Sequence, residues 1–313
     1  MNFIEEKFFN LINEFKEKSV TEIYEHMVFN FKNIPYETQK SIETFFKEFP
    51  YWGGLDVENE DHEYLLSKAK IFKNHFKDYV WLFNHLGDEF SKFLLFAILN
   101  NFYNFDFYNL KIGTENVFKH YFDLNLVPKC KNEVFVDLGA YTGDTILDFV
   151  MSYGEKCYKK IYCYDITESS IDLMKKNLGH LKNIKLKHKA VCNKNGVIKF
   201  DENASSTSAN KLSKNGKIKV EAVKLDDDIT DKITTIKMDI EGAEQDAIKG
   251  AKNHIKIDNP KLLISVYHNN VDLFKIPKMI YGYNKNYNFH LRYFGGPIYA
   301  TEIILIALPK QKK

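Results

Sequence analysis

The segment VFVDLGAYTGDT, residues 134–145, begins with apolar residues and ends in polar residues that favour the start of a helix. The apolar start predicts a buried strand. Glycines at positions 139 and 143 let the backbone turn sharply and leave room for a ligand against the chain. The spacing differs from the G-x-G-x-x-G of dinucleotide-binding loops, whose second glycine admits a pyrophosphate. The segment therefore predicts a strand–turn–helix unit that binds a ligand of another kind.

An acidic residue, Asp137, precedes the first glycine by two positions. A carboxylate there would repel a pyrophosphate, whereas it suits a ligand with an ammonium group. The methionine moiety of S-adenosylmethionine carries an ammonium group, with a sulfonium beside it. We therefore expect Asp137, Gly139, Tyr141, Gly143 and Thr145 to form a cofactor-binding loop. In the structural alternative the two glycines serve only the turn between strand and helix.

Beyond Pro128, short apolar runs alternate with helical stretches. The runs are Val134–Leu138, Ile161–Tyr164, Ile184–Val191, Ile233–Met238, Leu262–Val266 and Ile303–Ala307. This alternation predicts βαβ units and an α/β, Rossmann-like domain with a mostly parallel sheet. Sheets of this type bind ligands at the carboxyl ends of their strands, so the residues that follow each strand are the candidates for function.

The first part of the chain has a helical pattern. Apolar residues from Ile4 to Phe15 recur at intervals of three and four, which places them on one face of a helix. A second such pattern runs from Leu82 to Ala97, and Asp88 can cap its later part. We therefore predict two regions, a helical N-terminal region over residues 1–125 and a Rossmann-like domain over residues 126–313.

Carboxylates also follow two later strands. Asp165 ends the second predicted strand, where a carboxylate can accept hydrogen bonds from ribose hydroxyls. The segment IKMDIEGAE, residues 236–244, delivers Asp239, Glu241 and Glu244 into a short turn that opens a helix. Carboxylates this close repel one another unless a nearby cation or a hydrogen-bond donor stabilises their negative charges. Glu241 and Glu244 can alternatively serve as acids at a helix start.

These segments together resemble the FkbM family of methyltransferases over about residues 130 to 309. The resemblance rests on residues 134–145, Leu225-Asp226-Asp227, residues 236–244, Lys249-Gly250-Ala251, Ser265-Val266-Tyr267-His268, Asp272-Leu273, Ile276-Pro277 and Thr301-Glu302. One departure is that relatives have Glu-Pro after the second strand, where this chain has Asp165-Ile166. The shorter carboxylate of Asp165 can still reach the ribose.

The resemblance implies a Rossmann-like methyltransferase fold whose last strand runs antiparallel. It also implies an enzyme that moves a methyl group from S-adenosylmethionine to a hydroxyl group. Many relatives methylate sugars in secondary metabolites or bacterial surface polysaccharides. The cofactor motifs do not distinguish a sugar acceptor from a non-sugar acceptor such as an amine or a protein side chain. Both acceptor classes therefore stay open. The missing G-x-G-x-x-G and the carboxylate of Asp137 argue against a dinucleotide oxidoreductase.

Transfer to an alcohol needs a base or a metal, because a hydroxyl group is a poor nucleophile until its proton is removed or shared. His268 follows the fifth predicted strand, and we predict that it is the general base or positions the hydroxyl. Asp239 is predicted to contact the cofactor and to orient His268 or the acceptor, and Glu241 is the third predicted catalytic residue. His268 can alternatively be a strand-end histidine that hydrogen-bonds a loop carbonyl.

Two further hypotheses concern the acceptor and a metal. Glu244 and Arg292 are candidate substrate contacts. Arg292 is the only arginine in the chain, and a guanidinium can bind a phosphate or carboxylate through two parallel hydrogen bonds. In the metal variant, Asp239, Glu241 and Asn269 supply oxygen ligands to Mg²⁺.

The charge and composition of the chain limit the classes of molecule that it is expected to bind. The 44 Lys and Arg residues nearly balance the 42 Asp and Glu residues, which leaves a formal charge of +2. Nucleic-acid binding usually needs a basic excess or stripe, so we expect a small-molecule or saccharide acceptor instead. No apolar run approaches the ~18 residues of a membrane span, and the expected location is the cytoplasm. The helical region could cover the acceptor site or form a homodimer contact.

Overall fold

The computed structural model describes residues 2–49, 51–200 and 216–310. Within this part of the chain, six helices precede the first strand, so the helical prediction for the N-terminal region is confirmed. They are α1 (Phe3–Glu17), α2 (Val20–Asn33), α3 (Tyr36–Glu48), α4 (Glu63–His85), α5 (Glu89–Asn104) and α6 (Phe107–Ile112).

Caps and aromatic stacking stabilise these helices. Asn2 and Ser19 each form a capping box with the glutamate three residues later, which satisfies backbone amides at the starts of α1 and α2. Asp88 accepts a hydrogen bond from the first turn of α5, in agreement with the cap predicted from the sequence. Phe8 of α1 stacks on Phe83 of α4 with ring centroids 4.0 Å apart. The apolar stripe of α1 thus packs against the longest helix of the region.

The remaining described chain contains strands and helices in alternation. The strands are β1 (Glu133–Leu138), β2 (Tyr158–Asp165), β3 (Ile184–His188), β4 (Ala190–Val191), β5 (Gly196–Phe200), β6 (Ile218–Val223), β7 (Thr235–Met238), β8 (Lys261–Ser265), β9 (Tyr287–Tyr293) and β10 (Ile303–Pro309). The helices are α7 (Asp144–Tyr153), α8 (Glu168–Asn177), α9 (Leu225–Asp228), α10 (Glu244–Gly250) and α11 (Asp272–Tyr283).

The main sheet has seven strands in the order β3-β2-β1-β7-β8-β10-β9. The pairings of β1 with β2 and β7, of β2 with β3 and of β7 with β8 are all parallel. The last two strands are antiparallel, because Phe294 donates to the carbonyl of Glu302 while Lys310 donates to that of Asn286. The prediction of a mostly parallel α/β sheet with an antiparallel last strand is confirmed.

The run Ile184–Val191, predicted as one strand, forms two strands in different sheets. The amide of Lys189 donates to the carbonyl of Lys187 at 3.0 Å, and this tight local contact interrupts the ladder after β3. β4 then pairs with β6 in a three-stranded sheet of order β4-β6-β5. The sequence of this run does not show the change of sheet, because residues on both sides of the break are compatible with a strand.

The chain divides into two compact units, each assembled from several segments. The first comprises residues 1–115, 266–278 and 288–305, and the second comprises residues 116–265, 279–287 and 306–313. The second unit contains the β1–β8 core, in which all six residues of β1 are buried. Among the described helices, none has the length and apolar content that crossing a membrane requires.

Candidate active site

The turn after β1 can be made only with glycine at position 139. Gly139 has a φ of +78°, and a Cβ there would lie 1.8 Å from the carbonyl oxygen of Asp239. Gly143 has a φ of +84° and immediately precedes α7, and a Cβ there would meet Leu178 at 2.8 Å. Both glycines therefore permit a close approach as well as a left-handed conformation. The turn brings the end of β1 against the end of β7.

The carboxylate of Asp165 is held by the backbone on both sides. One of its oxygens accepts the amide of Tyr141 at 2.9 Å, and the other accepts the amide of Thr167 at 2.9 Å. Burial raises the pKa of Asp165, although these amides and Lys237 act in the opposite direction. Each oxygen keeps a lone pair beyond the one that it shares with the backbone. The carboxylate is thus fixed in orientation and still able to accept further hydrogen bonds.

A pocket of the second unit lies at the carboxyl ends of β1, β2 and β7. Its walls are Leu138, Gly139, Tyr164, Asp165, Ile166, Thr167, Lys189, Ala190, Val191, Asp239, Ile240, Glu241 and Ala243. Four residues predicted from the sequence, Gly139, Asp165, Asp239 and Glu241, line this one pocket. The predicted loop residues Tyr141, Gly143 and Thr145 are not among its walls; Tyr141 contributes its backbone amide to Asp165.

Asp137 is not among the residues that line the pocket. Its side chain is fully buried, and one carboxylate oxygen lies 3.1 Å from Nζ of Lys237. Lys237, in the middle of β7, also donates to the carbonyl of Gly139 at 2.8 Å. Burial alone would lower the pKa of Lys237, but the charges of Asp137 and Asp239 outweigh it and leave that pKa raised. The pair thus ties β7 to the glycine turn, while the predicted cofactor contact of Asp137 stays a prediction.

Asp239 receives a hydrogen bond from a residue outside all the sequence motifs. The hydroxyl of Tyr121 donates to Oδ2 of Asp239 at 2.6 Å and lies 3.4 Å from Oγ of Ser265. Tyr121 has a φ of +70°, which is uncommon for a residue with a side chain. Its ring stacks on His120 at 4.2 Å and is 4% exposed. The segment before β1 therefore places the hydroxyl of Tyr121 as a fixed hydrogen-bond donor to the carboxylate of Asp239.

The two glutamates of the turn between β7 and α10, Glu241 and Glu244, lie in different environments. Glu241 has a φ of +55° and lines the pocket. Glu244 is fully buried, and its Oε1 accepts the backbone amide of Ile240 at 2.9 Å. This contact corresponds to the helix-start role that the sequence left open for Glu244. It stabilises the turn that presents Asp239 and Glu241.

His268 belongs to the first unit and is 2% exposed. Its ring lies 4.2 Å from that of Tyr267 and 5.3 Å from that of Tyr51, measured between centroids. The indole of Trp52 donates to the carbonyl of Tyr267 at 2.8 Å and so ties the segment before α4 to this loop. Nearby, the amide and the side chain of Asn269 both donate to Asp272. The helical region therefore shapes the surroundings of the predicted base.

Arg292 has intramolecular partners in the first unit. It lies in β9, is 6% exposed and donates to Oγ of Ser91 at 3.1 Å and to the carbonyl of Leu291 at 2.7 Å. Its second terminal nitrogen lies 3.3 Å from Asp88, the residue that caps α5. The guanidinium of Arg292 thus connects β9 to the start of α5. Its predicted contact with an anionic acceptor stays a prediction.

Three residues of these surroundings were not predicted from the sequence: Tyr51, Tyr121 and Lys237. For Lys237 a signal existed, since a lysine within a short run of otherwise apolar strand residues needs a buried partner. Tyr121 and Tyr51 left no such signal, because their partners lie more than 100 residues away along the chain.

Comparison with known proteins finds one family model and several solved structures that match this chain. The model of the methyltransferase FkbM domain matches residues 137–291. The comparison with curated proteins finds no match. Among solved structures, methyltransferase FkbM from Methylobacillus flagellatus KT covers 86% of this chain and 70% of its own, with 20% identity and a TM-score of 0.66.

Two further structures match smaller shares of the chain. An rRNA methylase from Streptococcus thermophilus covers 58% of this chain and 90% of its own, with 14% identity and a TM-score of 0.38. Fibrillarin from Aeropyrum pernix, solved with natively bound S-adenosyl-L-methionine, covers 57% and 67%, with 9% identity and a TM-score of 0.37. The match to the family model shows that residues 137–291 form a methyltransferase FkbM domain, and the structural likeness agrees with the fold.

Proposed function

We propose that the protein transfers the methyl group of S-adenosylmethionine to a hydroxyl oxygen of a saccharide, in surface polysaccharide or secondary-metabolite biosynthesis. The observation that carries the proposal is the pocket in which Gly139, Asp165 and Asp239 meet. Its walls combine apolar side chains with carboxylates, a combination that suits an adenosine joined to a cationic methionine moiety. The saccharide acceptor is proposed from the family resemblance.

Asp165 is the proposed partner of the ribose. Its fixed orientation supports this role, because a carboxylate held by two amides loses little freedom when it accepts two hydroxyls. Ala190 and Val191 offer an apolar wall for the adenine. Gly139 and Asp239 are the proposed neighbours of the methionine moiety.

The bound S-adenosylmethionine would supply an electrophilic methyl group on its sulfonium. The residues of the chain then have to orient the acceptor and remove the hydroxyl proton, and orientation can be worth ~7–11 kcal/mol. A carbon–oxygen bond forms, the carbon–sulfur bond breaks with its electrons staying on sulfur, and the hydroxyl proton passes to a base.

His268 is the proposed base and Asp239 the proposed positioning residue. Asp239 follows β7 and lines the pocket of the second unit, and His268 follows β8 and belongs to the first unit. The hydroxyl of Tyr121 supports the second role, because it fixes one oxygen of Asp239. Glu241 is the third proposed catalytic residue.

A substitution of His268 tests the proton transfer. Replacing His268 with alanine should lower kcat at least 100-fold, since general-base catalysis contributes about 10²–10⁴, while the affinity for S-adenosylhomocysteine is kept. Near-normal turnover of this variant would remove His268 from the mechanism. The metal variant, with Mg²⁺ held by Asp239, Glu241 and Asn269, predicts instead that EDTA abolishes turnover.

An acceptor screen tests the substrate class. The protein is incubated with S-adenosylmethionine labelled in its methyl group and with separate panels of sugars, oligosaccharides, amines and peptides. The proposal predicts label in a saccharide, as a methyl ether. Label found only in an amine or a peptide would support the alternative acceptor class and contradict the saccharide proposal.

A further inference from the structure

Half-buried aromatic side chains of the first unit form a continuous strip that ends at His268. Phe45 stacks on Tyr299 with centroids 3.9 Å apart and lies 5.2 Å from Phe49. Phe49 in turn stacks on Tyr51 at 5.9 Å, and Tyr51 lies 5.3 Å from the ring of His268. The aromatic strip, as we name these four residues, spans several ring widths.

A buried layer fixes the strip in place. Trp52, next to Tyr51 in the chain, is 3% exposed and donates its indole hydrogen to the carbonyl of Tyr267. Phe46, next to Phe45, is 1% exposed and stacks on Tyr64 at 4.6 Å. Phe45 and Tyr51 thus each have a neighbour in the chain that packs in the core. Ligand binding on such a preorganised surface orders few side chains.

The charges near the strip favour a neutral ligand with hydroxyl groups over a phospholipid surface. Lys47, on the same turn of α3, lies 3.2 Å from the carboxylate of Glu43. Glu48 is exposed and close enough to Tyr299 to raise the pKa of that tyrosine, although burial contributes more. Anionic lipid surfaces attract clusters of lysine and arginine, which this pattern does not provide. A sugar ring instead presents polarised C–H groups that suit the negative face of an aromatic ring.

We propose that the aromatic strip binds successive rings of a saccharide chain and leads one end of that chain to His268. The preferred acceptor is then an oligosaccharide and not a free monosaccharide. This inference rests on the proposed function, in that it assigns a surface to the acceptor of the same reaction. Spacings of 5–6 Å between the rings of Phe45, Phe49 and Tyr51 allow more than one sugar ring to stack at once.

The test is the dependence of KM on acceptor length, measured on the full chain with gluco-oligosaccharides of one to six rings. For the wild-type protein we expect KM to fall as rings are added. Replacing Phe45 or Phe49 with alanine should raise KM for the longer acceptors about two- to tenfold each, the range for one aromatic contact, and kcat should fall by less. Phe49→Trp, which keeps a ring, should retain the dependence on length.

Phe29→Ala is the matched control, because Phe29 is 67% exposed on α2 and lies outside the strip. Circular dichroism melting of all variants separates loss of binding from loss of folding. Equal KM values for one ring and six rings, or strip variants that behave like Phe29→Ala, would overturn the inference while leaving the methyl transfer standing.

Binding without turnover distinguishes the inference from the proposed function. The same oligosaccharides are titrated into protein saturated with S-adenosylhomocysteine, and intrinsic tryptophan fluorescence is followed. Length-dependent binding that is lost in Phe45→Ala, without methylation of any saccharide, would support the strip and refute the proposed reaction. If no saccharide binds and none is methylated, both are wrong.

Discussion

Replacing Tyr121 with phenylalanine removes one hydroxyl group and keeps the ring that stacks on His120. In the wild-type protein this hydroxyl donates to Oδ2 of Asp239 at 2.6 Å. Tyr121 is 4% exposed, so water cannot easily take the place of the lost donor. A hydrogen bond to a charged group contributes about 1.5–3 kcal/mol. If Asp239 positions the acceptor, kcat/KM should therefore fall about 10- to 150-fold.

The assay is initial-rate methyl transfer with a saturating donor and a varied acceptor. Tyr158→Phe is the matched control, because the hydroxyl of Tyr158 also makes one hydrogen bond, to the carbonyl of Lys182 at 3.0 Å, away from the pocket. Urea unfolding of both variants shows how much of any change in kcat/KM comes from a change in the free energy of unfolding. A Tyr121→Phe variant whose kcat/KM matches that of Tyr158→Phe would refute the positioning role of Tyr121.

The remaining predictions concern the turn, the first unit and acid stability. Gly139→Ala should weaken S-adenosylhomocysteine binding more than tenfold in calorimetry, because the new methyl group would lie 1.8 Å from the carbonyl oxygen of Asp239; unchanged affinity would show that the turn relaxes freely. Arg292→Lys should lower the free energy of unfolding by about 1–3 kcal/mol through lost contacts with Ser91; unchanged stability would contradict this structural role, and a raised acceptor KM would support the predicted acceptor contact as well. Burial lowers the pKa of His120 to about 4 from its ordinary 6.5. The folded state therefore favours neutral His120, and its contribution to stability is present above pH 6.5 and lost as the pH falls toward 4. In urea unfolding, His120→Phe should lose less stability than the wild-type protein between pH 7 and pH 4.5, by at most about 3 kcal/mol; parallel losses would contradict the assignment.

Local patterns predicted the sheet well because β1, β2, β7 and β8 are short, apolar and separated by helices. The predicted run Val134–Leu138 corresponds to β1 (Glu133–Leu138), and Leu262–Val266 corresponds to β8 (Lys261–Ser265). In a parallel sheet every such strand ends at the same edge. For that reason Gly139, Asp165 and Asp239 could be assigned to one place from their positions at strand ends alone.

The contacts that tune the site could not be predicted in the same way. Tyr121 donates to Asp239 across 118 positions, and the sequence contains no pattern that links the two. Burial also separates residues that look equivalent in the chain: Glu241 lines the pocket, whereas Glu244 is fully buried and holds a backbone amide. Such differences depend on how the β7–α10 turn packs, which is a property of the folded chain.

Calorimetric titration with S-adenosylhomocysteine tests the central claim most directly, with NAD as the control ligand and Asp165→Asn as the control variant. We expect micromolar binding of S-adenosylhomocysteine and no binding of NAD. We also expect at least tenfold weaker binding by Asp165→Asn, because an amide group cannot accept both backbone hydrogens that the carboxylate accepts. Absence of S-adenosylhomocysteine binding by the wild-type protein, or equal affinity in the variant, would contradict the assignment of this pocket to the methyl donor.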